Sequence, residues 1–512
     1  MMVNLKQRKV NEVIIAGVIS LIYVFSVLLF SGTLFSGYHL VDDHEILSYV
    51  TAFQNGTYSW KTIFTTGIFD YFAEGIRFRP LYITLRLLRS WFFGTNYIAW
   101  YITVGMEVVS CLILAYCIVR KMGGRVLQAG LVSTLIVTGE QSEIWWRLGP
   151  QEPTGLLCCL WCMLAIKKYE ESPKLSKGLG VVLASFLMAA SKESFTILLP
   201  SMGLFCIACD FLESHYHNLW DGIKKTFKKN IWIFLGMFLI FCINIYVIVY
   251  KVGLLSIGYA GIDREAGVSG YIIMIQGMLK WDSLRVYEGI FGVSVILLLI
   301  SLICGWRGKQ QIEKTSFVKK IGKLLLGLTM LSIVMGQLVL YARSGMSVRY
   351  LIPASVGFIF FVFHVMLTEM SNKYCRGVLM GVGYLTLIFL YLGVWQDGRD
   401  YALQGRLLNN CFATVEKDLE REDNIIICIN DETNNSFALY VDINLGMKHV
   451  YSWNEEMGFY SLSNIDGELG SFEEAKCIIL PDNMQLSDYE IEENDYSCTG
   501  SMGYGLMYLK KG

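Results

Sequence analysis

Charge is scarce in this chain. Only 17% of its 512 residues are charged, against 54% hydrophobic, a balance that excludes a soluble enzyme carrying one anchor. Long polar stretches are missing from the first 395 positions, where apolar runs of the roughly 20 residues needed to cross hydrocarbon recur instead. The 14 cysteines show no zinc-type spacing. Most lie in or beside apolar runs, as Cys158, Cys159 and Cys162 do, where a thiol acts as a small hydrophobe. Cys411, Cys428, Cys477 and Cys498 stand in the tail, where a disulfide and burial in strands are both open readings. No internal repeat or low-complexity tract is visible. A cleavable leader is not expected at Lys6, Arg8 and Lys9, because the apolar run that follows, 13–35, is too long and has no small-residue cleavage site. That run is expected to be the first permanent crossing.

What charge there is falls unevenly. Half of the acidic residues follow Gln396, whereas basic clusters sit between apolar runs: 6–9, Arg120 with Lys121 and Arg125, 167–177, 224–229, 307–323, and Lys373 with Arg376. Because Lys and Arg are retained in the cytoplasm, all of these fall inside if about eleven helices cross the membrane from a cytoplasmic N-terminus. The outer face then receives 37–80, 140–153, 191–194, 251–289, 343–350 and the whole tail. The breaks at 140–153 and 191–194 are expected to edge a site, since irregular backbone at membrane depth survives only against protein or water. Beyond Gln396 a polar helix through 423 precedes short alternating runs at 424–430, 437–443, 476–480 and 504–509. They predict a small α/β or α+β domain of residues 396–512, outside the membrane and tethered to a transmembrane domain of residues 1–395. No nucleic-acid partner is expected, and the bilayer itself is the first partner.

Ionisable groups gather in the outer loops. Asp42, Asp43, His44 and Glu45 follow the first helix directly; a bland reading makes them a solvated helix start, but two adjacent carboxylates suit a general base and its neighbour. Arg77 and Arg79 enter the next membrane segment at Pro80, at a height that suits a phosphate. Snorkelling explains Arg86 and Arg89 better. Arg343 and Arg349, in the segment that continues through Tyr350, break the positive-inside trend, and an anionic ligand supplies a reason. Glu140, Glu143, Trp145, Trp146 and Arg147 share one loop, where the tryptophans read as interfacial belt residues. Lys192 and Glu193 form another and read most simply as a pair. Glu107 and His364, within helices, need partners that the sequence does not name.

The acidic pair after the first helix, the Arg-x-Arg-Pro entry ending at Pro80, the Ser-Lys-Glu loop at 191–193, the Arg-Tyr-Leu-Ile-Pro run at 349–353 and the outward tail together resemble the GT-C superfamily of membrane glycosyltransferases. The likeness is to its protein O-mannosyltransferase and aminoarabinose transferase branch, and covers nearly the whole chain, most weakly in the tail. It implies transfer of a sugar from a polyprenyl-phosphate carrier, usually with inversion, to a cell-envelope polysaccharide, lipid or protein on the outer face of a plasma membrane. Asp42 matches the family's base and Asp43 the second acidic position, often Glu there. Arg349 first and Arg343 second would hold the carrier phosphate, with Arg77, Arg79 and Lys192 in support; His44, Glu45, Glu140, Glu143, Glu193 and Tyr350 complete the expected site. No cofactor is required on this route, although a divalent cation could neutralise the phosphate, as in the oligosaccharyltransferase branch.

Two other classes compete. A lipid-linked glycan flippase or transporter would put ionisable residues at the membrane midplane, not in outer loops. A polysaccharide polymerase shares arginine-rich outer loops, and the acidic pair is what argues against it. The acidic tail and the lack of targeting signals fit a bacterial plasma membrane.

Overall fold

The computed structural model describes residues 2–40, 43–65, 78–139, 144–214, 216, 218–253, 267–279, 284–307, 317–343, 348–429, 436–438, 440–454, 458–462 and 471–511. Asp42, Arg77, Glu140 and Glu143 lie outside the described residues, as do the side chains of His44 and Arg349.

Helices dominate. In chain order they are α1 (Met2–Phe30), α2 (Asp43–Gln54), α3 (Thr62–Thr65), α4 (Pro80–Phe93), α5 (Tyr97–Lys121), α6 (Val126–Leu135), α7 (Glu152–Glu171), α8 (Leu175–Ser191), α9 (Glu193–Thr196), α10 (Leu199–Glu213), α11 (Leu219–Val247), α12 (Gly267–Leu279), α13 (Arg285–Arg307), α14 (Phe317–Tyr341), α15 (Ile352–Phe360), α16 (Leu367–Glu369) and α17 (Lys373–Asp418). Among the described residues eight helical spans are long and apolar enough to cross a membrane, and α6, α8 and α12 are shorter apolar helices. Burial sorts them: 72% of the Ile352–Glu369 span and 67% of Glu193–Glu213 are covered by protein, against 17% of Val10–Phe30 and of Arg285–Cys304. The first two form the heart of the bundle, and the others present apolar side chains outward, where only lipid satisfies them.

Polar residues inside the bundle have partners that no sequence reading supplies. Glu107 takes an ion pair from Arg89 and a hydrogen bond from Thr154 Oγ1 at 3.1 Å. His364 lies in a π-helical stretch, Phe361–Met366, with Gln128 Nε2 at 3.3 Å from its Nδ1. Arg86 corrects the snorkelling expectation: it is 3% exposed, donates to Gly149 O at 3.0 Å and pairs with Glu45. Arg89, held by Glu107, is likewise no anchor. Trp145 and Trp146 are not belt residues either, since both are fully buried; their short turn folds inward between helices instead of lying at an interface.

The tail folds on the last helix. α17 runs through the polar change near Gln396 without a break, and its final turns bury Leu408, Cys411, Phe412 and Val415 against a six-stranded mixed sheet. The strands are β1 (Asn424–Ile427), β2 (His449–Asn454), β3 (Gly458–Ser461), β4 (Cys477–Leu480), β5 (Tyr496–Ser501) and β6 (Leu506–Lys510), in the order β3-β2-β1-β4-β6-β5. β1 lies parallel to β2 and β4, and the outer pairs are antiparallel. The expected strand at 437–443 is helical: Phe437, Ala438 and Val441 are buried together, a spacing that belongs to one face of a helix. All 14 cysteines are free thiols, with Cys428 and Cys477 buried in the sheet region.

Candidate functional site

The bundle has two chemically distinct ends. One carries the termini of α7, α10 and α11 nearest the basic clusters; the other carries the end of α1, the starts of α4, α5, α7 and α15, and the polar half of α17.

At this second end the chain leaving α1 is pressed against α17. Gly37, at φ 79°, leaves no room for a side chain beside Asn409, whose Nδ2 donates to Ser36 O at 2.8 Å. A Cβ on Gly405 would sit 2.5 Å from Nε2 of His39 and 2.6 Å from Ser36 O. Thr33 Oγ1 adds a hydrogen bond to Gly398 O at 3.1 Å, and Tyr101 Oη one to Gly37 O at 3.1 Å. Small residues one turn or two apart on α17, Gly398, Ala402 and Gly405, thus make the groove into which the loop fits.

The loop delivers Asp43 to the first position of α2. Its carboxylate, 2% exposed, accepts the backbone N–H of His39 at 2.9 Å. The His39 ring stacks on Tyr401 with centroids 3.5 Å apart, and Arg147 holds its guanidinium 5.5 Å from the same ring. Burial, with the nearby Arg147 charge, pushes the His39 imidazole down to about 3, so it is neutral at ordinary pH. Burial and then the Asp43 carboxylate raise the phenols of Tyr38 and Tyr440, the latter to about 12. The same two causes raise Tyr504, and Arg147 opposes them. These shifts report one compact neighbourhood: a buried carboxylate, a guanidinium and aromatic rings drawn from the first loop, α17 and the tail.

Arg147 also faces a cleft of about 570 Å³ between the bundle and the tail, lined by Trp146, Asp397, Asp400, Gln404 and Asp482 among others. Asp43 is not among its lining residues. A second charged group lies along the same end. Arg79 Nε meets Glu193 Oε2 at 2.9 Å, and Phe78 N–H donates to Glu193 Oε1 at 3.2 Å. Lys192, held extended between α8 and α9, is 1% exposed; it pairs with Glu152 and lies 4.3 Å over the Tyr350 ring. Lys192 and Glu193 therefore pair with other helices and not with each other. Their backbones diverge at the helix break, which sends the two side chains to different neighbours.

The loop at 144–152 joins the two groups. Arg147 belongs to the first and Glu152 to the second, while Gly149 O between them accepts from Tyr82 Oη at 2.8 Å and from Arg86. Glu45, on α2 with Asp43, meets Arg86 Nε at 3.5 Å. So the structure assembles Asp43, Glu45, Arg79, Lys192, Glu193 and Tyr350 at one end of the bundle. Arg343 stands exposed just after α14, and no hydrogen bond or ion pair among the described residues joins it to Asp43. Arg349 lies in the short 3-10 turn Val348–Leu351. Arg147, Tyr401 and Tyr504 are the residues that sequence reasoning left out of the site. Arg147 shared a loop with Glu140 and Glu143, and that shared level was its only signal. Among the described residues no three His, Cys, Asp or Glu side chains are grouped to hold a metal ion.

No protein-family model matches the chain, and no curated protein does. Solved structures similar to it include the Archaeoglobus fulgidus oligosaccharyltransferase in complex with Zn and sulfate, at 10% identity and a TM-score of 0.43 over 86% of this chain and 62% of that one. The archaeal oligosaccharyltransferase AglB from Archaeoglobus fulgidus, in complex with an inhibitory peptide and a dolichol-phosphate, matches at 11% identity and a TM-score of 0.43, over 86% and 63%. ArnT from Cupriavidus metallidurans bound to undecaprenyl phosphate matches at 10% identity and 0.45, over 96% and 97%. The chain thus spans less than two thirds of the length of the archaeal chains.

Proposed function

We propose that this chain is an integral membrane glycosyltransferase that moves a sugar from a polyprenyl-phosphate carrier to an acceptor on the outer face of a bacterial plasma membrane. The observation that carries the reading is the convergence of Asp43, Arg147 and the Arg79–Glu193 and Lys192–Glu152 pairs at one end of the bundle. The residues 1–395 act as the transfer domain, and 396–512, outside, help shape the acceptor cleft.

The reaction follows from charge. An acceptor hydroxyl gives its proton to the carboxylate of Asp42 or Asp43 as its oxygen attacks the anomeric carbon from the face opposite the phosphate. The bond from that carbon to the phosphate oxygen breaks, its electron pair stays on the carrier phosphate, and the sugar's configuration inverts. Guanidinium groups stabilise the charge that develops on the phosphate: Arg349 and Arg343 from the outward arginine segment, Arg77 beside Arg79, and Arg147. Arg79 and Lys192 already have carboxylate partners, which suits them to hold the α4 entry and the α8 break in place near the donor. Asp43 is held by a backbone N–H, which fixes the carboxylate's orientation; an acceptor reaches it only as the side chains covering it move.

The test is transfer by the full chain in proteoliposomes, supplied with a panel of undecaprenyl-phosphate-linked sugars and a cell-envelope acceptor fraction. The expected result is release of undecaprenyl phosphate in step with sugar incorporation. Movement of the intact lipid-linked sugar across the bilayer without its cleavage would replace this reading with a flippase.

A further inference from the structure

We infer a second lipid site, at the opposite end of the bundle from Asp43: a groove that takes an anionic glycerophospholipid of the cytoplasmic leaflet. A cavity of about 660 Å³ opens between α13, α14 and the Phe361–Glu369 stretch, a size typical of small-ligand sites. Leu298, Leu324, Leu328, Phe361 and Val365 give it apolar walls, and among the described residues its charged lining is Lys320, Lys323 and Glu369.

These charges sit at one end. Lys320, Lys323, Leu324, Gly327, Leu328 and Leu331 recur at three- and four-residue spacing, so they share one face of α14, with both lysines in its first two turns and the leucines beyond. The rise from Lys320 to Leu331 is about 16 Å, close to half of the roughly 30 Å hydrocarbon core. The groove is therefore one leaflet deep. At Gly327 α14 comes close to the facing wall, with Phe361 and Val365 within van der Waals reach of a Cβ there. The π-helical stretch Phe361–Met366 forms the facing wall, and such local widening of a helix is frequent at functional sites.

The headgroup chemistry follows from the mouth. Lys323 is paired with Glu369 at 2.9 Å, whereas Lys320 is exposed and makes no ion pair among the described residues. Among the described residues the mouth thus carries one net positive charge at the end of an apolar groove, which matches a lipid with one net negative charge. Both lysines belong to the basic cluster 307–323, which the positive-inside rule puts in the cytoplasm, where anionic lipid headgroups attract such lysines. The site is independent of the transfer reaction and stands even if that reading fails.

Native mass spectrometry of the full chain in detergent tests it, with phosphatidylglycerol and phosphatidylcholine of equal acyl length as probes. Phosphatidylglycerol should be retained in preference. Retention should fall about fivefold in Lys320→Gln, the effect of one lysine near a charged headgroup, and as far or further in Leu328→Trp, which fills the groove and leaves its charge intact. Equal retention of the two lipids, unchanged retention in both variants, or displacement of phosphatidylglycerol by undecaprenyl phosphate would each overturn the proposal.

Discussion

At the basic end of the bundle, Lys229 sits between Glu170 and Asp210, whose carboxylates are fully buried, and pairs with both. Asn230 donates to Glu170 at 2.9 Å, Tyr216 Oη to Asp210 at 2.7 Å, and Thr226 also to Asp210. Lys167 adds a pair with Glu213. At the opposite end, Asp43 is held by a backbone N–H among tyrosines, and Arg147 lies over a ring at the edge of a cleft. Both ends bury carboxylates and both hold closed ion pairs, Lys192–Glu152 and Arg79–Glu193 at the second end, but the second end also sets Asp43 and Arg147 among aromatic rings, with Arg147 beside open volume. A closed network locks helices together and offers a substrate nothing, whereas the cleft edged by Arg147 has room for a ligand, on the proposed reading the acceptor.

That contrast can be broken in four ways. The largest expected effect is at the basic end: Lys229→Met leaves two buried carboxylates facing each other and should cost roughly 3 kcal/mol of stability, read by thermal unfolding in detergent, while the protein that survives transfers sugar at the normal rate. Arg147→Met should do the reverse. Transfer falls about a hundredfold, the usual effect of removing one group that stabilises developing charge, with little change in unfolding. Gly405→Ala comes next, at about 2 kcal/mol, because the added methyl meets His39 and Ser36; it should lower both stability and transfer, since it moves the loop that delivers Asp43.

The smallest effect is one of pH. His39 has its folded value depressed to about 3 from an ordinary 6.5, so the unfolded chain binds a proton there that the folded chain refuses. Its contribution is fully present above pH 6.5 and is lost as pH falls from there toward 3. His39→Phe should therefore flatten the acid-side fall in the unfolding midpoint relative to the unaltered chain, leaving a constant offset between them above about pH 7.

Much of this was legible in the sequence, because a membrane forces simple patterns. Apolar runs gave the helices, whereas the polar change near Gln396 leaves no mark on the backbone: α17 runs through it, and Gly398, Ala402 and Gly405 still pack against the loop after α1. The strands at β1, β4 and β6 show as apolar runs, whereas β3 and β5 do not, since they are the sheet's edges with polar or exposed residues such as Ser497 and Thr499, and β2 does not because polar residues interrupt it, Ser452 even where it is buried. Asp43, Arg79, Lys192, Glu193 and Tyr350 are each candidates on the sequence alone, but their pairings are not visible there. Pairing is a tertiary fact: Glu152 lies 40 residues from Lys192 and Glu193 lies 114 from Arg79, and no local spacing announces either. Arg86 and Trp146 were misjudged for the same reason. A charged or aromatic residue near a helix end looks interfacial until the loop that buries it is known.

If one end is catalytic and the other structural, a pair of isosteric variants separates the two most directly. Transfer rate and unfolding midpoint should be measured together for Asp43→Asn and Asp210→Asn. Asp43→Asn should lose about a thousandfold in rate, the range for a missing general base, at a nearly unchanged midpoint, and Asp210→Asn should lower the midpoint and keep its rate. Full activity in Asp43→Asn, or equal losses of both quantities in the two variants, would contradict the account.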